Sequence, residues 1–156
     1  MKVINEILEN NILIASIISN ISAQFLKVIF TYIIEKRWDW QLLISTGGKP
    51  SSHTATVTTL TVLLGVKYGF NSPYFAIAFI LSSIVIVDAL SVRKEVGKHA
   101  ELLNEFFFET SIGKRLRDLL EVEVFKELIG HSFIEVLMGF LFGLLVSVID
   151  IVWFLK

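Results

Sequence analysis

Ser132-Phe133-Ile134-Glu135-Val136-Leu137-Met138-Gly139-Phe140-Leu141-Phe142-Gly143-Leu144-Leu145-Val146-Ser147-Val148-Ile149-Asp150-Ile151-Val152-Trp153-Phe154-Leu155 is an almost unbroken apolar run. It exceeds the roughly 20 residues that a helix needs to cross the hydrocarbon of a bilayer. Three more segments, about 11–34, 53–70 and 73–90, read the same way, so spans at 11–34, 53–70, 73–90 and 132–155 are expected. The two middle ones are short. The turn residues Gly69-Phe70-Asn71-Ser72-Pro73 join them, which predicts a helical hairpin. The expected fold is all-α: an integral membrane bundle of about four transmembrane helices, forming one domain over residues 1–156.

Composition points the same way. Apolar residues make up 54% of the chain and the mean hydropathy is +0.70, values that a soluble domain of this size seldom reaches. A net charge of -1 carries no signal for nucleic acid. Without cysteine there is no disulfide frame and no thiol ligand or nucleophile. Residues 1–11 lack the basic start and small-residue cleavage site of a secretory leader.

Positive charge sets the expected orientation. Lys36, Arg37 and Lys49 follow the first span, and Arg93, Lys94, Lys98, Lys114, Arg115, Arg117 and Lys126 follow the third. The other side carries Lys2, Lys67 and Lys156. Segments 35–52 and 91–130 are therefore expected in the cytoplasm and both termini outside, in a bacterial inner or plasma membrane. On that topology His53, Asp88, Arg93 and His131 converge at one depth on the cytoplasmic face.

Polar residues inside spans are costly and mark function. In the first span Ser16, Asn20, Gln24, Lys27 and Thr31 recur at helical spacing and form one stripe. Lys27 either snorkels to the interface or faces inward and reaches an anion. The second span opens with Gly47-Gly48-Lys49-Pro50-Ser51-Ser52-His53. Pro50 suits a first helical turn, and the free N–H groups beside a flexible Gly-Gly backbone suit an anion. An ordinary helix start has the same composition. The threonines that follow, Thr54, Thr56, Thr58, Thr59 and Thr61, suit hydrogen-bonded helix packing.

The last span brings His131, Glu135, Gly139 and Gly143 into register four residues apart. Glu135 is placed to hydrogen-bond the His131 ring, which would fix its tautomer and sharpen its nucleophilicity. A structural His–Glu pair is the plainer alternative. Gly139 and Gly143 predict close helix packing, within the bundle or between subunits of a homo-oligomer. Asp88 is expected to pair with Arg93, Lys94 or Lys27, either orienting a phosphate-binding cation or offsetting charge. His99 reads as an exposed helical residue. No metal-binding pattern, P-loop or serine-hydrolase motif is present, and no cofactor is expected. Segment 91–130 reads as two amphipathic helices split near Thr110 to Gly113. They would lie at the lipid interface or on a partner subunit and roof the site, or form a surface hairpin with no gating role.

Pro50-Ser51-Ser52-His53 together with Gly130-His131 and Glu135 resembles two signatures of the type 2 phosphatidic acid phosphatase superfamily. The longer run Ser45 to Ala55, with Asp88-Ala89, Val92-Arg93, Gly97-Lys98 and Gly139, is similar to its divergent compact branch, which is related to acid phosphatases and vanadium-dependent haloperoxidases. The resemblance covers roughly residues 20 to 145. It implies a metal-independent lipid phosphatase working through a phosphohistidine: His131 as nucleophile, Glu135 as its orienting carboxylate, His53 as the acid for the leaving oxygen. Gly47, Gly48, Ser51 and Ser52 would bind phosphate oxygens. Two departures stand out. The residue seven after Lys27 is Ile34 rather than arginine, and the residue six before His131 is Phe125 rather than arginine. Lys27, Arg93 and Lys98 are the cations available to replace those missing. The expected substrate is a membrane lipid with a phosphate headgroup, such as phosphatidylglycerophosphate or phosphatidate. The alternative is a non-catalytic membrane protein that binds anionic lipid or phosphate, or a scaffold.

Overall fold

A computed structural model describes residues 2–44, 47–125 and 132–154. After a short exposed helix, α1 (Lys2–Leu8), the Asn10 side chain caps α2 (Asn11–Glu35) by accepting from the Leu13 N–H at 3.1 Å. At about 1.5 Å per residue α2 is long enough to cross the hydrocarbon with a turn to spare. It stops where Lys36 turns left-handed, φ 57°, and returns its N–H to the Tyr32 carbonyl. A single 3-10 turn, Trp40–Leu43, follows. Then come α3 (Ser52–Tyr68), α4 (Pro73–Leu90), α5 (Val92–Glu109), α6 (Ser111–Leu120) and α7 (Phe133–Phe154). Among the described residues there is no strand, so the all-α expectation holds.

The four expected spans are α2, α3, α4 and α7. By length and apolarity three described stretches qualify alone: Asn11–Glu35, Pro73–Glu109 and Phe133–Phe154. The exception, α3, has 17 residues and is the inner helix, packed by α2, α4 and α7. Its neighbours cover it, so its surface need not match lipid. That is why it tolerates so many hydroxyls. Thr59 Oγ1 lies 3.0 Å from Ser19 Oγ on α2 and 3.1 Å from the Gly143 carbonyl on α7. Thr61 Oγ1 lies 2.7 Å from Ser82 Oγ on α4, and Asn20 Nδ2 donates to Thr56 Oγ1 at 2.9 Å. Lipid tails offer no hydrophobic drive between helices, so close packing and such hydrogen bonds hold the bundle.

The expected polar stripe of α2 does face inward. Ser16 and Lys27 are buried, and Asn20, Gln24 and Thr31 are half-buried. The α3–α4 hairpin is also present: Gly69 takes φ 91°, Ser72 caps α4, and Phe70 meets Phe75 edge to face. The outer helices show large aliphatic side chains, among them Ile77, Ile80, Ile84 and Val87 of α4, as expected against lipid. Aromatic residues gather at both ends, as at membrane interfaces. Tyr32, Trp38 and Trp40 stack with centroids 4.2 and 5.6 Å apart, and Tyr68 meets Tyr74 at the far end.

The α7 helix lies parallel to α3 and buries one stripe, Val136, Gly139, Gly143, Ser147 and Asp150. A Cβ on Gly139 would collide with the Ser51 carbonyl, and one on Gly143 would stand 2.6 Å from the Ala55 carbonyl. The glycine pair is thus spent within the bundle, against the first two turns of α3. A homo-oligomer would need another surface.

The 91–130 segment splits at Thr110, within the expected window. Thr110 Oγ1 accepts from Gly113 N–H at 2.9 Å, and Gly113 lacks a Cβ that would strike the Phe106 carbonyl. Among the described residues this α5–α6 hairpin meets the bundle through α4 and does not roof the starts of α3 and α7. The reason is local. Ser91 donates to Val87 and Glu95 donates to Ser91, so helical bonding carries α4 straight into α5.

Gly143→Val is expected to destabilise the protein by about 1–3 kcal/mol, the usual range for overpacking. The lipid-facing Leu141→Val should change little. Unfolding midpoints in mild detergent check this pair.

Candidate functional site: the paired starts of α3 and α7

The site is built where α2 ends and α3 and α7 begin. Ser51 ties the elements together. Its N–H donates to the Glu135 carbonyl at 2.9 Å, and its carbonyl faces Gly139. Its hydroxyl accepts from the Thr54 N–H at 3.4 Å and from Thr54 Oγ1 at 3.1 Å. Ser51 is therefore an N-cap fully engaged in structure. Ser52 differs. It is 1% exposed, and its hydroxyl has no hydrogen-bond partner among the described residues. A buried hydroxyl without a partner is costly and asks for an explanation. His53, in the same turn, is half-buried.

Lys27 approaches from α2. It is fully buried, so it does not snorkel. Its aliphatic stem runs beside Gly48, where an added Cβ would lie 3.5 Å from Lys27 Cδ. Gly48 holds φ 92°, a conformation that suits glycine, and Gly47 is buried beside it. Glu135 is near enough to act on the Lys27 charge. The Glu135 carboxylate also accepts from the Ser132 N–H at 3.1 Å, while its own N–H donates to Ser132 Oγ at 3.3 Å. This reciprocal pair is a capping box at the start of α7. His131, like Gly130, Ser45 and Thr46, lies outside the described residues.

The remaining cations sit elsewhere. Arg93 Nε pairs with Asp88 Oδ2 at 2.6 Å across the α4–α5 junction. Lys98 Nζ pairs with Glu95 Oε1 at 2.8 Å on α5. That hydrogen bond holds the Glu95 carboxyl below the usual carboxylate range. No described contact joins Arg93 or Lys98 to Lys27, Gly48 or Ser52. Asp88 takes the partner named first from sequence, and His99 is exposed. Among the described residues no group of three His, Asp or Glu is placed to hold a metal ion.

Two features of this end escaped the sequence reading. The Ser132-x-x-Glu135 spacing is a capping-box signature and was available as such. The clasp between Ser51 N–H and the Glu135 carbonyl is a backbone contact, which side-chain types do not encode.

Together these features define a membrane helical bundle with a buried lysine, a glycine-rich loop and an unsatisfied serine gathered at one end. The divergent PAP2 family model matches residues 8–146, and the chain belongs to that family. It is 35% identical to YuiD of Bacillus subtilis (strain 168), described as an uncharacterized membrane protein, over 92% of this chain and 96% of that one. No solved structure matches.

Ser51→Ala is expected to cost about 0.5–2 kcal/mol, the usual loss for an N-cap. Ser52→Ala, which removes a buried hydroxyl with no protein partner, should leave stability unchanged or raise it. Denaturation of the two variants side by side in detergent separates these roles.

Proposed function

We propose that the chain is a membrane phosphatase that hydrolyses the phosphate monoester of a lipid through a phosphohistidine. The observation that carries this reading is the meeting of buried Lys27, the Gly47–Gly48 loop and the unpartnered Ser52 hydroxyl at the start of α3. A phosphoryl group needs positive charge and N–H or O–H donors preorganised around its oxygens. Lys27 supplies the charge, and Ser52 with the first turn of α3 supplies donors. The family then assigns the chemistry. His131 attacks phosphorus, the P–O bond to the lipid breaks, and His53 protonates the departing oxygen. Water then releases phosphate from His131 and restores the enzyme. Ser51 serves by fixing the α3 start rather than by binding.

In this reading Lys27 replaces the arginines missing from the family pattern. Arg93 and Lys98 drop out of the phosphate-binding set, because each is paired on α4–α5 with Asp88 or Glu95. The charge pattern places this end of the bundle at the cytoplasmic face, which suits phosphatidylglycerophosphate or phosphatidate as substrate. The pairing of Arg93 and Lys98 also favours a second reading, a binding protein for anionic lipid headgroups that does not turn them over.

Phosphate release from these two lipids in detergent, with EDTA present, tests the proposal. His131→Ala should abolish release. Lys27→Met should lower it by about 100-fold or more, the scale for losing one electrostatic donor. Full activity in His131→Ala would overturn the phosphohistidine route. Vanadate or lipid binding without any release would support the second reading.

A further inference from the structure

The α6 helix has an apolar face that nothing in the chain covers. Ile112, Leu116, Leu119 and Leu120 recur at i, i+4, i+7 and i+8, the spacing of one helical stripe. Leu119 is 78% exposed and Ile112 69%. The α5 side is taken up elsewhere, since Gly113 meets the Phe106 carbonyl and Arg117 lies over the Phe108 ring at 5.2 Å. Around the apolar stripe stand Lys114 and Arg115, both exposed. The hairpin is also locked shut. Asn104 donates to the Phe125 carbonyl at 2.8 Å and accepts from the Phe125 N–H at 2.9 Å.

We propose that the apolar face of α6 docks on an anionic lipid surface, the bilayer interface beside the ends of α4 and α7. Three observations select a lipid surface over a protein partner. The hairpin is tethered near the bilayer at both ends, by α4 through the single residue Ser91 and by the chain that returns to α7. The face is made of bulky aliphatic side chains, whereas helices that pack on helices in membranes use small ones, as α7 does at Gly139 and Gly143. Basic residues flanking an apolar stripe are the charge complement of anionic headgroups. This contact lies apart from the lysine–serine site and does not depend on its chemistry.

The absence of cysteine makes the test direct. Leu119→Cys and Asp118→Cys, each in the full chain, are labelled with an environment-sensitive fluorophore. Each is reconstituted in vesicles of phosphatidylcholine, with and without phosphatidylglycerol. The label at 119 should shift to the blue and be quenched by lipids spin-labelled near the headgroup, far more strongly with phosphatidylglycerol present. The label at 118 should stay in water. Adding Lys114→Glu and Arg115→Glu should weaken docking at low ionic strength by about fivefold for each cation removed. A label at 119 as wet as the label at 118 in anionic vesicles would overturn the proposal. So would equal quenching in the two lipid mixtures, or a 119–119 disulfide that accounts for the protection.

Discussion

The docking of α7 on the first two turns of α3 sets the rest of the architecture. Gly139 and Gly143 let the α7 backbone ride directly on the Ser51 and Ala55 carbonyls. In lipid, apolar side chains gain nothing by meeting each other, so backbone approach and the hydrogen bonds it permits decide which helices associate. Once α7 lies there, its start must stand beside the start of α3. The Ser51 N–H then reaches the Glu135 carbonyl, and two segments more than sixty residues apart share one end of the bundle. The remaining helices fill the other sides of α3. The α2 helix contributes Ser19, Asn20 and Lys27, and α4 contributes Ser82.

This arrangement explains how a lysine can be buried in an apolar bundle. A charge removed from water needs compensation. Lys27 has Glu135 within electrostatic reach and a loop backbone along its stem. Glu135 in turn holds the α7 start through Ser132. One carboxylate therefore serves helix capping and charge balance at once. An incoming anion would alter that balance, which links occupancy of the site to the seating of α7.

The fold was legible in the sequence because its signals are local. Runs of apolar residues, the Gly69–Pro73 turn and the four-residue spacing of Gly139 and Gly143 each carry a physical rule that acts within one element. The inward stripe of α2 was readable for the same reason. The site was legible only in part. That Lys27 meets Gly48 depends on how α2 and the loop pack, and that Arg93 turns to Asp88 depends on a helix continuing through Ser91. Composition offered Arg93, Lys98 and Lys27 as equals; packing separates them. Likewise, the amphipathic pattern of 91–130 gave the two helices and their break, but not that they would miss the ends of α3 and α7.

Burial of Lys27 also bears on how the chain enters the bilayer during synthesis. The α2 helix emerges early, carrying a lysine together with Ser16, Asn20 and Gln24, and a lysine at the centre of a span opposes insertion by about 2.5–3.5 kcal/mol. Its compensating carboxylate, Glu135, is made roughly a hundred residues later. Through most of synthesis α2 is therefore a weakly inserting segment, free to sit shallow with Lys27 among headgroups. Its final depth is set when α7 arrives, so the last helix made completes the seating of the first long one.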